Sequence, residues 1–289
     1  MAREFRSFLL ITAEKTSGGR DGELFRRYRN ALVQSPRQWF RLRDADALVR
    51  FSLAAALVCN DCDLSWLTEE KLHTLAEIAI TLYDAVAFHK HRAEAELCST
   101  FAYIPQEDRS SAYQLFSHIL WSLDVTYGSA EFHIVSNFIR SFGGPIHMMM
   151  HRYRFVENGL TIGNSEAGEV AELARRNVKL WFRPNRSAGV VASDRRYRMI
   201  CVHHRRLLFS GMAEILRRSD DIACLECRKD GYRGTDDGRA FSGVSLCGHC
   251  AKVWRDYLKS LPSRLGHAFP EARMQMEELN EAVYRGDGW

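Results

Sequence analysis

Proline is scarce in this sequence, with six in 289 residues, which argues against many short strands and for long helices. No stretch stays apolar over the roughly 20 residues needed to cross a bilayer, so no membrane span is expected. The opening Met1-Ala2-Arg3-Glu4-Phe5-Arg6 makes no signal peptide, because Glu4 and Arg6 interrupt any apolar region. These absences point to a cytoplasmic compartment, where the eight cysteines are expected as thiols or metal ligands rather than disulfides. A strong excess of one charge is also missing, the formal net charge being +4. That suits a polyanionic small ligand such as a diphosphate, and it is too weak to argue for a nucleic-acid partner, so none is expected. What the chain has in quantity is apolar side chains: 46% of residues are hydrophobic and 26% charged, enough for one or two globular domains with a sizeable core.

The apolar residues recur at helical spacing nearly throughout. Helices are expected over Phe5 to Ala13, Gly22 to Val33, Asp44 to Val58, Glu69 to about Leu97, Arg109 to Tyr127 and Glu131 to Phe142. Further helices are expected over Ile146 to Val156, Glu166 to Phe182 and Asp194 to Arg217. Thr68-Glu69-Glu70-Lys71 reads as a capped start, and Gly143-Gly144-Pro145 as a hard break. From 220 onward the chain is glycine-rich and loop-like, then helical again over Ala251 to Leu261 and Pro270 to Tyr284. The expected division is a helical body over 1–219 and a small metal-stapled module over 220–289.

Cys224-Leu225-Glu226-Cys227 and Cys247-Gly248-His249-Cys250 carry the strongest spacing signal. Two CxxC knuckles at this separation predict a tetrahedral site in which Cys224, Cys227, Cys247 and Cys250 hold Zn²⁺. Four thiolates leave no coordination position open, so the zinc is expected to be structural. Cys59 and Cys62 form a third CxxC without a second pair nearby and read as packing residues.

Two other segments place charge beside strongly apolar helix. The run Ala47 to Val58 leads directly into Asn60-Asp61-Cys62-Asp63, and Leu82 to Phe88 is followed by Lys90-His91-Arg92-Ala93-Glu94-Ala95-Glu96. Mg²⁺ takes oxygen ligands, commonly one or two carboxylates plus substrate phosphate, which makes Asp61, Asp63 and Asp84 candidates. Asp63 or Ser65 capping the next helix is the plain alternative. Asp84, Phe88, Arg92 and Glu96 would share one helical face; Arg92 with Glu96 reads either as a helix-stabilising pair or as part of a site. Glu94 and Glu96 are candidate acids or bases, with burial raising the pKa. Arg140, His147, His151, Arg152 and Arg154 surround the glycine-proline break, beside Met148-Met149-Met150. Freed backbone groups and arginines there suit an anion, a core turn with a surface basic stripe being the plain alternative, and Arg196 with Tyr197 offers a further Arg/Tyr pair suited to diphosphate, or else a helix start with solvated arginines.

Several strings together resemble the fungal sesquiterpene synthases of abscisic acid biosynthesis, the α-ionylideneethane synthases. They are Met1-Ala2-Arg3-Glu4-Phe5, Asp21 to Tyr28, the Asn60-Asp61-x-Asp63 turn, Leu82 to Phe88 with Lys90 to Glu94, Gly143 to Met150, and the C-terminal CxxC pairs. The resemblance spans nearly the whole chain. It implies an all-α, terpene-synthase-like helical bundle acting on farnesyl diphosphate with catalytic Mg²⁺. Diphosphate loss to a linear polyene would be followed by reprotonation and ring closure. The family lacks the Asp-rich and Asn/Ser/Glu metal motifs of ordinary class I terpene synthases, so the carboxylate assignments rest on local chemistry. It also implies that an N-terminal helical portion upstream of Met1 is absent here. On this reading Asp61, Asp63 and Asp84 hold Mg²⁺, Arg92, Arg140, Arg152, Arg196 and Tyr197 receive the diphosphate, and Glu94 or Glu96 moves the proton.

Two rivals stand beside the enzyme: a non-catalytic helical scaffold whose zinc module contacts protein or nucleic acid, and an inactive truncated member of the family. A basic face around Cys224 to Arg255 would favour the scaffold. An apolar cavity lined by Phe88, Phe142, Met149 and Trp181 would favour the enzyme.

Overall fold

The computed structural model describes residues 1–16, 22–88, 91, 99–102, 104, 108–143, 193–221, 224–229 and 246–285. Among them the regular elements are helices, with no strand, as the expected all-α class requires. In chain order they are α1 (Ala2–Thr16), α2 (Glu23–Gln34), α3 (Pro36–Ala47), α4 (Val49–Val58), α5 (Glu69–Val86), α6 (Arg109–Thr126) and α7 (Ala130–Gly143). After the undescribed middle come α8 (Ser193–Val202), α9 (His204–Leu207), α10 (Met212–Arg218), α11 (Leu225–Lys229), α12 (Gly248–Lys259), α13 (Leu261–Ala268) and α14 (Arg273–Arg285).

Helix α5 is the hub. The Thr68 hydroxyl accepts the Lys71 amide at 3.3 Å and Glu69 and Glu70 occupy the first turn, which satisfies orphan donors and complements the helix dipole. Beyond its first turn nearly every residue is buried, including Leu75, Ile78, Ala79, Ile80 and Val86. A helix apolar all round must be wrapped by others; α3, α4, α6, α7 and α13 pack around α5.

One apolar cluster runs from Trp39, Leu53, Ile78, Phe116 and Phe132 into Trp254, Leu258, Leu265, Phe269 and Met276. Residues on the two sides of the expected boundary at 219 therefore share a core. A second cluster joins the N-terminal helices to α8 and α10 through Phe25, Tyr28, Leu42, Tyr197, Phe209 and Met212.

Two expected helices are divided, and the long one from Glu69 passes a turn at Ala87, with Phe88 and His91 beyond it helical. Asp44 to Val58 is broken at Leu48, which sits in the left-handed region at φ 60. The break is held by Asp44, which is buried and accepts both the Arg50 backbone amide, at 2.9 Å, and the Arg50 guanidinium. Such a conformation costs about 1–2 kcal/mol for a non-glycine residue and persists where the surroundings determine it. The segment Asp194 to Arg217 is cut into α8, α9 and α10, the last beginning at Gly211 with φ 94, a backbone conformation suited to glycine. Helix α5 reaches its C-cap at Ala87. The rest of the expected helix, like the expected helices at 146–156 and 166–182, lies outside the described residues apart from Phe88 and His91.

Candidate functional site

The four C-terminal cysteines converge. Cys224 precedes α11, Cys227 lies within it, Cys247 caps α12 and Cys250 is in its first turn. Their sulfur atoms all lie within 4.8 Å of one another, and Cys224 and Cys247 Sγ are 3.6 Å apart. A tetrahedral site with Zn–S bonds of about 2.3 Å separates its sulfurs by about 3.8 Å, so the thiols already have the spacing of a zinc cage. The Cys247 amide donates to Cys227 Sγ at 3.3 Å. A hydrogen bond from the Cys227 backbone draws the Cys224 thiol down to about 7, whereas burial pushes Cys227 up to about 11. Below this cluster α12 buries Cys250, Trp254 and Leu258 on one stripe, and the Trp254 ring meets Trp39 edge-on at 5.3 Å.

Farther along α12, Tyr257 reaches α5. Its hydroxyl donates to Glu77, a fully buried carboxylate that also takes Arg264 Nη1 at 2.7 Å and His73 Nε2 at 2.9 Å. Burial pushes the Glu77 carboxyl upward, but Arg264, His73 and Tyr257 outweigh it and hold it below the usual carboxylate range. Two turns on, Asp84 occupies the same face of α5. Its Oδ1 takes Arg43 at 2.7 Å, and its Oδ2 takes the Thr100 amide and hydroxyl at 2.7 and 2.8 Å. Arg43 also binds Asp46 at 2.7 Å, and His91 Nδ1 stands 3.7 Å from Asp84. Burial raises the Asp84 carboxyl against the opposing pull of Arg43 and Thr100. The Arg43 guanidinium is kept well above its ordinary value by Asp84 and Asp46, despite burial.

A cavity of about 440 Å³ opens where the start of α5 meets α3 and α10. Its walls include Arg37, Arg41, Glu69, His73, Glu214 and Arg218. His73 is thus a bridge between this cavity and the buried Glu77 network.

The sequence candidates are dispersed. Asp61 and Asp63 are exposed near the start of α5; Asp61 has φ 54, and Asp63 caps Ser65, as the plain alternative held. Asp84 lies near the other end, and the run from Glu69 to Asp84 covers about 22 Å at 1.5 Å per residue. The fold does not bring these three carboxylates together, and both Asp84 oxygens are engaged by protein donors, which leaves a poor Mg²⁺ ligand set. Arg140 is held by Asp124, and Arg196 pairs with Glu14 at 3.0 Å. Tyr197 is buried beneath the Arg27 guanidinium at 4.7 Å, and burial raises its hydroxyl. Cys59 is exposed rather than packed, while Cys62 is half-buried against the main core. Arg92, Glu94, Glu96, Arg152, Met149 and Trp181 lie outside the described residues.

Sequence reasoning missed Arg37, Arg43, His73, Glu77, Tyr257 and Arg264. The legible signal was Glu77 and Asp84, two carboxylates seven residues apart on the buried face of an otherwise apolar helix.

These features define an all-α protein whose described residues bring four cysteines to metal-ligand spacing and bury paired charges along the central helix. The chain belongs to the α-ionylideneethane synthase family: the family profile described as Alpha-ionylideneethane synthase aba3 matches residues 1–271. It is 50% identical over 278 residues to Alpha-ionylideneethane synthase aba3 of Botryotinia fuckeliana (strain B05.10), covering 96% of this chain and 63% of that protein. It is 48% identical over 273 residues to Alpha-ionylideneethane synthase abl3 of Leptosphaeria maculans, covering 94% of this chain and 64% of that protein. An abl3 of Pyricularia oryzae is 42% identical over 332 residues, again with 94% and 64% covered. The chain thus spans somewhat less than two thirds of the length of these relatives.

Proposed function

We propose that this chain is a sesquiterpene synthase that converts farnesyl diphosphate to α-ionylideneethane in abscisic acid biosynthesis, as a Mg²⁺-dependent carbon–oxygen lyase. The observation that carries the reading is membership of the family across residues 1–271, with relatives at 42–50% identity bearing the synthase name. The reaction breaks the allylic C–O bond, releasing diphosphate, and loses a proton to give a linear polyene; reprotonation of the polyene and ring closure then give a cyclic cation, which loses a proton to leave the neutral C15 hydrocarbon. That sequence needs an anion clamp and a group that gives and takes a proton in a place shielded from water.

Mg²⁺ supplies charge neutralisation of the departing diphosphate when bound. Asp61 and Asp63 are the sequence candidates still accessible to it. Asp84, with its oxygens engaged by Arg43 and Thr100, instead anchors the end of α5. Arg92 and Arg152 remain proposed diphosphate ligands, and Glu94 or Glu96 the proposed acid and base. Zn²⁺ is proposed for Cys224, Cys227, Cys247 and Cys250, where the 3.6 Å sulfur separation suits a closed structural site. Its proposed work is to fix α12, and with it Tyr257 against Glu77.

The test is incubation of the purified, zinc-loaded chain with farnesyl diphosphate and Mg²⁺, followed by mass spectrometry of extracted volatiles. A cyclic C15 hydrocarbon is expected. A linear farnesene alone would mean ionisation without cyclisation. No product from a folded chain, nor from an N-terminally extended one, would refute the proposal and favour a non-catalytic scaffold.

A further inference from the structure

We infer that the cavity between α3, α10 and the start of α5 is an anion site that takes the diphosphate group of the substrate, with Arg37 as its principal cation. This inference rests on the prenyl-diphosphate reading above and adds, to the proposed diphosphate ligands Arg92 and Arg152, residues that the sequence motifs did not single out.

The cavity of about 440 Å³ has more than enough room for a diphosphate and some of its water. Eight of its ten wall residues carry polar or charged side chains, among them three arginines, which can receive a charged head group. Most of the wall charges are already matched. Arg41 binds Glu4 at 2.5 and 3.2 Å and lies 3.7 Å from the Phe209 ring centre, which fixes its plane. Glu69 takes Arg50 at 2.6 and 2.7 Å, and Glu214 takes Arg217 at 2.6 Å and Arg218 at 2.8 Å. His73 is engaged by Glu77.

Arg37 differs: it is exposed, and it makes no hydrogen bond or ion pair with any described residue. Beside it in the wall stands Gln38, whose Oε1 is buried without a hydrogen-bond partner. A free guanidinium is a fork that matches two phosphate oxygens at once.

Arg37 holds no ion pair that its loss would break, so Arg37→Gln is expected to fold normally, and binding can be read without turnover. Isothermal titration of the full chain with inorganic pyrophosphate in Mg²⁺ buffer is expected to show one site per chain, displaced by farnesyl diphosphate. Arg37→Gln is expected to weaken it at least ten-fold with an unchanged melting temperature. Arg205→Gln, an exposed arginine on α9 away from the cavity wall, is expected to match the wild type. Absence of pyrophosphate binding, or equal affinity in wild type and Arg37→Gln, overturns the inference. If Arg37→Gln also forms product at the wild-type rate at sub-saturating substrate, the site is wrong while the lyase reading stands. If pyrophosphate binds through Arg37 but neither this chain nor an N-terminally extended one makes a C15 product, the anion site stands and the lyase reading falls.

Discussion

Replacing Arg43 by methionine separates the contribution of the buried charges on α5 from that of the surrounding apolar core. Arg43 is 4% exposed and Asp84 is fully buried, and methionine keeps an unbranched stem in the space of the arginine methylenes. The substitution removes the 2.7 Å hydrogen bonds to Asp84 and to Asp46, leaving two buried carboxyls without their shared cation. Removing one partner of a buried ion pair costs about 3–5 kcal/mol, a large share of the ~5–15 kcal/mol that holds a domain folded. With a urea slope of about 3 kcal/mol/M, the unfolding midpoint should fall by about 1–1.7 M. Far-UV circular dichroism and tryptophan fluorescence read the transition, the latter because Trp39 lies on the same helix as Arg43. Arg43→Met/Asp84→Asn is the companion: asparagine keeps a carbonyl acceptor for the Thr100 amide and removes one stranded charge. The double variant should therefore lose about 1–3 kcal/mol less than the sum of the two single losses. Strict additivity, or a midpoint for Arg43→Met within ~0.3 M of wild type, would show that the network contributes nothing beyond packing.

Three further outcomes are expected. Cys250→Ser should abolish stoichiometric zinc, measured by atomic absorption, and red-shift tryptophan emission as α12 and Trp254 loosen from Trp39; unchanged metal content would remove Cys250 from the cage. Glu77, held below its ordinary value by Arg264, His73 and Tyr257, contributes stability that is fully present above about pH 4.5 and is lost as pH falls through its lowered folded value. The gap in urea midpoint between wild type and Glu77→Gln should therefore narrow on acidification below pH 4.5, and a constant gap down to pH 3.5 would contradict this. Gly211→Ala should lower the melting temperature by about 2–4 °C, equivalent to about 1 kcal/mol, through backbone strain at φ 94 alone, because no atom lies within 4 Å of the added Cβ. No change in a thermal scan would mean that the turn relaxes.

The helical class, the start of α5 at its Thr68 cap and the four-cysteine cluster were legible because each depends on near neighbours in sequence. Apolar periodicity, a capping hydroxyl and two CxxC knuckles act over a few residues. The breaks at Leu48 and Gly211 were not legible. Leu48 adopts a disfavoured conformation beside Asp44 and Arg50, buried charges whose pairing follows from tertiary packing. Asp84 was visible as a carboxylate on an apolar helix, but its partner Arg43 comes from another helix, 41 residues earlier in the chain.

The sequence by itself determined the helices, the zinc-type spacing and the family. Tertiary structure alone decided which charges neutralise one another. It set Arg43 against Asp84, Tyr257 and Arg264 against Glu77, and left Arg37 facing a cavity without an ion-pair partner among the described residues. The physical reason is that the energetic effect of a charge depends on its burial and its neighbours within a few ångströms, and helices distant in sequence supply both.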